Sequence, residues 1–115
     1  MNETRRAVRD GVLQIAAARQ TVTYGEVAGW IGWSTRNSHH RRLLGELLGQ
    51  INRHEDAAGR PMLSAVVVCT DIGRPGSGFY EEARRLGRLT GSEDGFHEQE
   101  LAAVWGEWER EARER

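Results

Sequence analysis

The run MLSAVVVC, Met62–Cys69, is the feature of this sequence that most constrains the fold. It carries no charge and is rich in β-branched residues, which is typical of a buried central strand. A single strand is not stable by itself, and the available partners are the β-prone Thr21–Thr23 and the residues near Leu89. The sequence therefore predicts an α+β domain, mostly helical, with a small two- or three-stranded sheet.

The rest of the chain shows apolar residues at helical spacing, separated by glycine-containing breaks. No repeat and no long linker divides it, so residues 1–115 are predicted to form a single domain. The predicted helices are Glu3 to about Arg19, a short one after Thr23, one from Ser38 to about 58, Phe79–Leu86, and a C-terminal helix at about 96–113. The strand and a glycine-rich loop occupy residues 62–78.

Residues 23–58 form a predicted helix-turn-helix unit. Thr23 and Glu26 have the spacing of a capping box, Gly32 can end the first helix, and Ser38 is the expected N-cap of the second. The second helix has a core stripe at i, i+3, i+4 and i+7, formed by Leu44, Leu47, Leu48 and Ile51. With the small sheet beside it, this unit predicts a winged helix-turn-helix-like architecture.

The start of the second helix is the candidate nucleic-acid-binding site. It contains three arginines and no acidic residue, and its members are Arg36, Asn37, His39, His40, Arg41 and Arg42. A helix amino terminus attracts phosphates, and a second helix of this kind can enter the major groove of DNA. The charge distribution agrees: residues 1–60 hold nine arginines against six acidic residues, whereas residues 61–115 hold seven against eleven. A solvated surface with no ligand is the alternative for the same residues.

The segment VTYGEVAGWIG, Val22–Gly32, resembles the helix-turn-helix entry of the alkyltransferase and alkyltransferase-like DNA-repair family, whose pattern is V-S/T-Y-G-E-L-A-x-x-I-G. RLLG, Arg42–Gly45, is similar to the R-A-V-G that opens the recognition helix of that family. The resemblance implies that Tyr24 touches the DNA backbone at a flipped nucleotide and that Arg42 enters the duplex where the base had been. The reactive P-C-H-R of the alkyltransferases is replaced by VVCTDI, Val67–Ile72, so the resemblance implies DNA binding without alkyl transfer.

The glycine-rich loop and Cys69 leave other functions open. The loop is either a plain turn or a phosphate, wing or ligand loop with Arg74 as its contact. GRPGSGF and the tryptophan-rich final helix also look like a set of small bacterial proteins, from which no activity carries over. An enzyme built on Cys69–Gly78 is one alternative, and Asp71 and Arg74 converging on a pocket beside Tyr80 would favour it. Cys69 itself is expected to be a buried structural residue.

Partners and location follow from composition. The histidines lack metal-ligand spacing, and neither a metal nor another cofactor is expected. Neighbouring carboxylates such as Glu81 and Glu82 are expected on solvated helix faces. No apolar run approaches the roughly 18 residues of a membrane span, and one cysteine permits no internal disulfide, so a cytoplasmic protein is expected.

The favoured function is non-catalytic binding of double-stranded DNA. The other alternative is a protein-interaction module, of a regulatory or immunity type, that uses the acidic, tryptophan-bearing C-terminal helix.

Overall fold

The computed structural model describes residues 2–114, and it confirms the α+β class. Its elements are α1 (Glu3–Ala17), β1 (Val22–Thr23), α2 (Tyr24–Trp30), α3 (Ser38–Ala57), a 3₁₀ turn (Leu63–Val66), β2 (Val67–Val68), α4 (Ser77–Arg85) and α5 (Phe96–Arg113). The helices follow the predicted segments closely. None of the helices in residues 2–114 combines the length and apolar character needed to cross a membrane.

The sheet joins the two predicted segments of strand but is very short. β1 runs parallel to β2, with Val22 opposite Val67 and Thr23 opposite Val68. The region of Leu89, the other predicted partner, forms no strand in residues 2–114. The sheet is parallel, whereas a wing is a hairpin of antiparallel strands.

The predicted long strand from Met62 to Cys69 is present only at Val67–Val68, and the residues before it, Leu63–Val66, form a 3₁₀ turn, so its predicted length was wrong. Side chains replace a strand ladder there: the backbone N–H of Ser64 donates to Asn52 Oδ1 at 3.0 Å, and that of Met62 donates to Glu100 Oε2 at 2.9 Å. Because these donors are satisfied by side chains, the segment needs no neighbouring strand. Its predicted burial is correct for Met62–Val68, all of which are buried, but Cys69 at its end is only half-buried.

This buried segment is the centre of the core. The 3₁₀ turn packs against α1, α3 and α5, while α2 packs on α1 and β2. The predicted α3 stripe of Leu44, Leu47, Leu48 and Ile51 is buried throughout. The fold thus buries one face of α3 and leaves most of its first turn exposed.

The start signals of α2 and α3 differ in how well the sequence predicted them. The capping box of Thr23 and Glu26 is present, and Gly32 follows α2 with a positive φ of 74°. At α3 the N-cap is Asn37, not Ser38: Asn37 Oδ1 accepts hydrogen bonds from the backbone N–H groups of His39 and His40 at 2.9 and 3.2 Å. Asn and Ser are both favoured caps, so the pattern could not separate two adjacent candidates.

A buried ionic cluster joins α1, α3 and α5. Glu55, completely buried on α3, receives hydrogen bonds from Arg9 of α1 at 3.0 Å and from Arg60 at 2.7 Å. The guanidinium carbons of Arg9 and Arg60 lie 5.7 and 5.5 Å from the ring of Trp108 on α5. The cluster therefore fixes the carboxyl-terminal half of α3 against both flanking helices.

Candidate nucleic-acid interface

The loop before α3 is held against the first turns of that helix. The segment between α2 and α3 covers residues 31–37, and Arg41 donates from Nη1 to the backbone oxygen of Thr35 at 2.6 Å. Together with the Asn37 cap, this bond brings the six predicted residues of the region into one surface. We call this set, Arg36, Asn37, His39, His40, Arg41 and Arg42, the α3 amino-terminal surface.

The cations of the α3 amino-terminal surface are open to solvent. Arg36 and Arg41 are exposed, and no carboxylate of residues 2–114 lies within ion-pairing distance of either. Arg42 pairs with Glu46 of its own helix at 3.2 Å, and both side chains are more than half exposed. None of the three is neutralised by the glutamates of α5, so the surface keeps a positive charge.

The two histidines of this surface are engaged in hydrogen bonds through Nδ1. The backbone N–H of Ser34 donates to His40 Nδ1 at 3.0 Å, and Arg42 Nη2 donates to His39 Nδ1 at 2.8 Å. The His40 ring also stacks on Trp33, with centroids 5.6 Å apart. Trp33 is therefore partly buried as packing for the loop.

Tyr24 lies beside this surface rather than on it. Its hydroxyl oxygen accepts a hydrogen bond from the backbone N–H of Gly76 at 3.0 Å, which joins α2 to the glycine-rich loop. Burial raises the pKa of Tyr24, so the phenol is protonated at neutral pH. Tyr24 and Arg41 line the same cleft.

That cleft, about 790 Å³ in volume, separates α3 from α4. Leu48 and Phe79 give it an apolar part, and Gly45 has no other group within 4 Å of where a Cβ would stand. Three hydroxyls in the lining have no acceptor within residues 2–114: Tyr24 Oη accepts from Gly76, Ser64 Oγ accepts from Asn52 Nδ2, and Ser77 Oγ makes no hydrogen bond there. The cleft therefore offers hydrogen-bond donors to an acceptor-rich ligand.

The sequence analysis did not predict that a buried carboxylate, Glu82, lies at the mouth of the cleft. Glu82, expected on a solvated face, is 3% exposed and accepts hydrogen bonds from Arg53 of α3 and Arg85 of α4. Its position three residues after the buried Phe79 was the available signal, because residues three apart share a helix face. This carboxylate holds one arginine of each helix at the mouth of the cleft.

Arg74 lies apart from the α3 amino-terminal surface. It lines a separate pocket of about 310 Å³ with Tyr80 and the acidic residues Glu93, Asp94 and Glu98. The loop is closed by the backbone N–H of Cys69 donating to the oxygen of Arg74, and that of Gly73 donating to the oxygen of Cys69. Arg74 does meet Tyr80 there, but Asp71 is not part of the lining, so the convergence that would favour an enzyme is incomplete.

Cys69 is not arranged as an activated nucleophile. It is half-buried, and burial together with the nearby Asp71 carboxylate raises the pKa of its thiol. Catalytic cysteines need the opposite shift. Among residues 2–114, no three histidine, cysteine or acidic side chains are grouped so that they could hold a metal ion.

The tryptophans of α5 are used inside the fold. Trp108 is buried, and Trp105 donates from Nε1 to the backbone oxygen of Gln20 at 2.9 Å. Arg19 covers the Trp105 ring at 5.0 Å and also pairs with Glu109 at 3.5 Å. The tryptophan-bearing face of α5 therefore packs on the rest of the domain.

Comparison of the chain with family models, with curated proteins and with solved structures finds no match.

Proposed function

We propose that this chain binds double-stranded DNA non-catalytically through the α3 amino-terminal surface. The observation that carries the proposal is the pair of exposed guanidinium groups, Arg36 and Arg41, that flank the start of α3 without a carboxylate partner in residues 2–114. Most other arginines of these residues are paired with carboxylates. Arg5, Arg6 and Arg74 also lack a carboxylate partner in residues 2–114, but Arg36 and Arg41 lie with Arg42, whose ion pair is solvent-exposed. A polyanion would use this group of open cations at the start of α3.

The physical basis is the attraction of phosphates to arginines at a helix amino terminus. The helix dipole and the guanidinium forks act on the same anion. Arg42 adds to them, because its ion pair with Glu46 is solvent-exposed and such pairs contribute only about 0–1 kcal/mol. A phosphate can therefore replace Glu46 at little cost.

The resemblance to the alkyltransferase-like family supports a finer form of the proposal. Tyr24 and Arg42 stand at the positions that match the family's pattern, and Tyr24 lines the cleft that opens beside Arg41. In this form α2 and α3 act as a helix-turn-helix unit of the winged type, with α3 as the recognition helix, although the parallel sheet supplies no antiparallel wing. The cleft would receive an extruded nucleotide, whose oxygen and nitrogen acceptors would meet the hydroxyl of Tyr24.

A titration with a fluorescently labelled duplex of mixed sequence, at two salt concentrations, tests the proposal. We expect saturable binding that weakens strongly with salt, because phosphate contacts release counterions. A duplex with a mismatch should bind more tightly than a matched one, since an unpaired base is extruded at a smaller energetic cost. Absence of binding at low salt would overturn the proposal. Equal affinities for the mismatched and the matched duplex would support DNA binding and contradict the extruded nucleotide.

A further inference from the structure

His39 and His40, the second and third residues of α3, both accept hydrogen bonds through Nδ1. The donor to His40 is the backbone N–H of Ser34, and the donor to His39 is the guanidinium of Arg42. A backbone amide and a guanidinium can only donate, so both Nδ1 atoms must be free of a proton in this arrangement. The two bonds exist only while both imidazoles are neutral.

Each of these bonds restrains a part of the α3 amino-terminal surface. The His40 bond, with the ring stacked on Trp33, fastens the loop to α3. The His39 bond, together with Glu46, holds the Arg42 guanidinium along its own helix. Arg42 is thus bound on both sides by groups of this chain.

Positively charged groups predominate around the two imidazoles in the free protein. Arg36 comes from the loop, and Arg41 and Arg42 from α3, and the positive end of the α3 dipole lies at the same place. Glu46 forms an ion pair with Arg42 of this surface, and Glu81 and Glu82 lie in the lining of the cleft that Arg41 also lines. DNA phosphates would reverse this balance by adding negative charge.

We propose that His39 and His40 form a proton-controlled latch on DNA binding, an inference that rests on the proposed function. Uptake of a proton at each Nδ1 breaks the bonds to Ser34 and Arg42. Arg42 then becomes available to a phosphate, and the surface gains up to two positive charges. Duplex affinity therefore rises as the pH falls from 8 to 6, the range in which histidine changes its charge.

The test measures the dissociation constant for duplex DNA from pH 8 to pH 6 at fixed salt. The wild-type constant should fall about three- to tenfold per pH unit, since uptake of one proton on binding corresponds to tenfold per unit. The double variant His39→Asn, His40→Asn should lose this dependence, because asparagine Oδ1 can accept both bonds but does not titrate. His54→Asn is the matched control: it changes an exposed histidine in the last turn of the same helix and should keep the wild-type slope.

The outcomes separate the latch from the function on which it rests. Duplex binding whose strength is the same at pH 8 and pH 6 overturns the latch alone, as does a double variant with the wild-type slope. No duplex binding at any pH overturns the proposed function and the latch with it. Circular dichroism at each pH verifies that the fold is retained in all variants.

Discussion

Asn52 and Ser64 exchange two hydrogen bonds inside the protein. Asn52 Nδ2 donates to Ser64 Oγ at 2.8 Å, and the backbone N–H of Ser64 donates to Asn52 Oδ1 at 3.0 Å. Both residues are buried. This pair joins α3 to the 3₁₀ turn at the centre of the core, and it thereby sets the position from which α3 presents its amino terminus.

Replacing Asn52 with alanine should destabilise the fold by about 1–3 kcal/mol, because the buried amide of Ser64 loses its acceptor. Urea unfolding followed by far-UV circular dichroism measures this change. His54→Ala is the control on the same helix, since His54 is exposed and such substitutions usually change stability by less than about 0.5 kcal/mol. Equal stabilities of the two variants would show that the pair does not hold α3.

Glu55 should make the stability of the protein depend on pH. Burial raises the pKa of Glu55, but hydrogen bonds from Arg60 and Arg9 outweigh it, so the pKa lies below its ordinary value. A carboxylate of this kind stabilises the fold above its unfolded-state pKa, about 4.3, and this contribution is lost as the pH falls through the folded-state pKa. Glu55→Gln should therefore be less stable than wild type at pH 7, by about 3–5 kcal/mol, and the difference should shrink below pH 4.

Unfolding in urea at pH 7 and at pH 3.5 measures the Glu55 effect. Glu46→Gln is the matched control, since Glu46 lies on the same helix with an exposed ion pair and should change stability by under about 1 kcal/mol at either pH. A Glu55→Gln deficit of the same size at both pH values would contradict the assignment to the ionised carboxylate.

Two glycines allow the cleft to be tested without damaging the fold. Gly45 on α3 and Gly106 on α5 are both in helix interiors with no other group within 4 Å of an added Cβ, and Gly45 lines the cleft. Replacing either with glutamine should stabilise the protein by about 0.5–1 kcal/mol, because glycine is a poor helix former. Only Gly45→Gln should weaken DNA binding, since its side chain projects into the space for the nucleotide. Identical duplex affinities for the two stabilised variants would show that the cleft is not part of the binding site.

Cys69 should react slowly with alkylating reagents. Its raised thiol pKa, caused by burial and by Asp71, leaves little thiolate at neutral pH, and the thiolate is the reactive form. The rate of reaction with iodoacetamide at pH 7 should be below that of a free cysteine model compound and should increase in Asp71→Asn. A reaction rate above that of the free thiol would favour the alternative function, an enzyme with its active site in the loop that begins at Cys69.

Local patterns in the sequence were sufficient for the helices. The stripe from Leu44 to Ile51 and the capping box of Thr23 and Glu26 are determined by neighbours a few residues away, and both are present. The 3₁₀ turn could not be predicted in this way. It exists because Asn52 and Glu100, distant in the chain, supply hydrogen bonds to the segment that begins at Met62.

For the candidate site, too, the sequence predicted what depends on neighbouring residues and not what depends on tertiary packing. Residues 36–42 are close in sequence and therefore close in space, as expected. Tyr24 and Arg74 depend on tertiary packing, which places Tyr24 in a cleft with Gly76 and Arg74 among acidic groups. The burial of Glu82 between Arg53 and Arg85 likewise requires α3 and α4 to meet, and a composition-based view of charged residues cannot detect it.

The salt dependence of duplex binding by Arg41→Ala, Arg42→Ala tests the central claim most directly. The account predicts weaker binding by this double variant and a plot of log affinity against log salt whose slope is about two units shallower than wild type, one for each lost phosphate contact. Arg110→Ala, Arg113→Ala removes the same charge from the exposed end of α5 and should leave the slope unchanged. Equal slopes for the wild type and the Arg41→Ala, Arg42→Ala variant would contradict DNA binding through the amino terminus of α3.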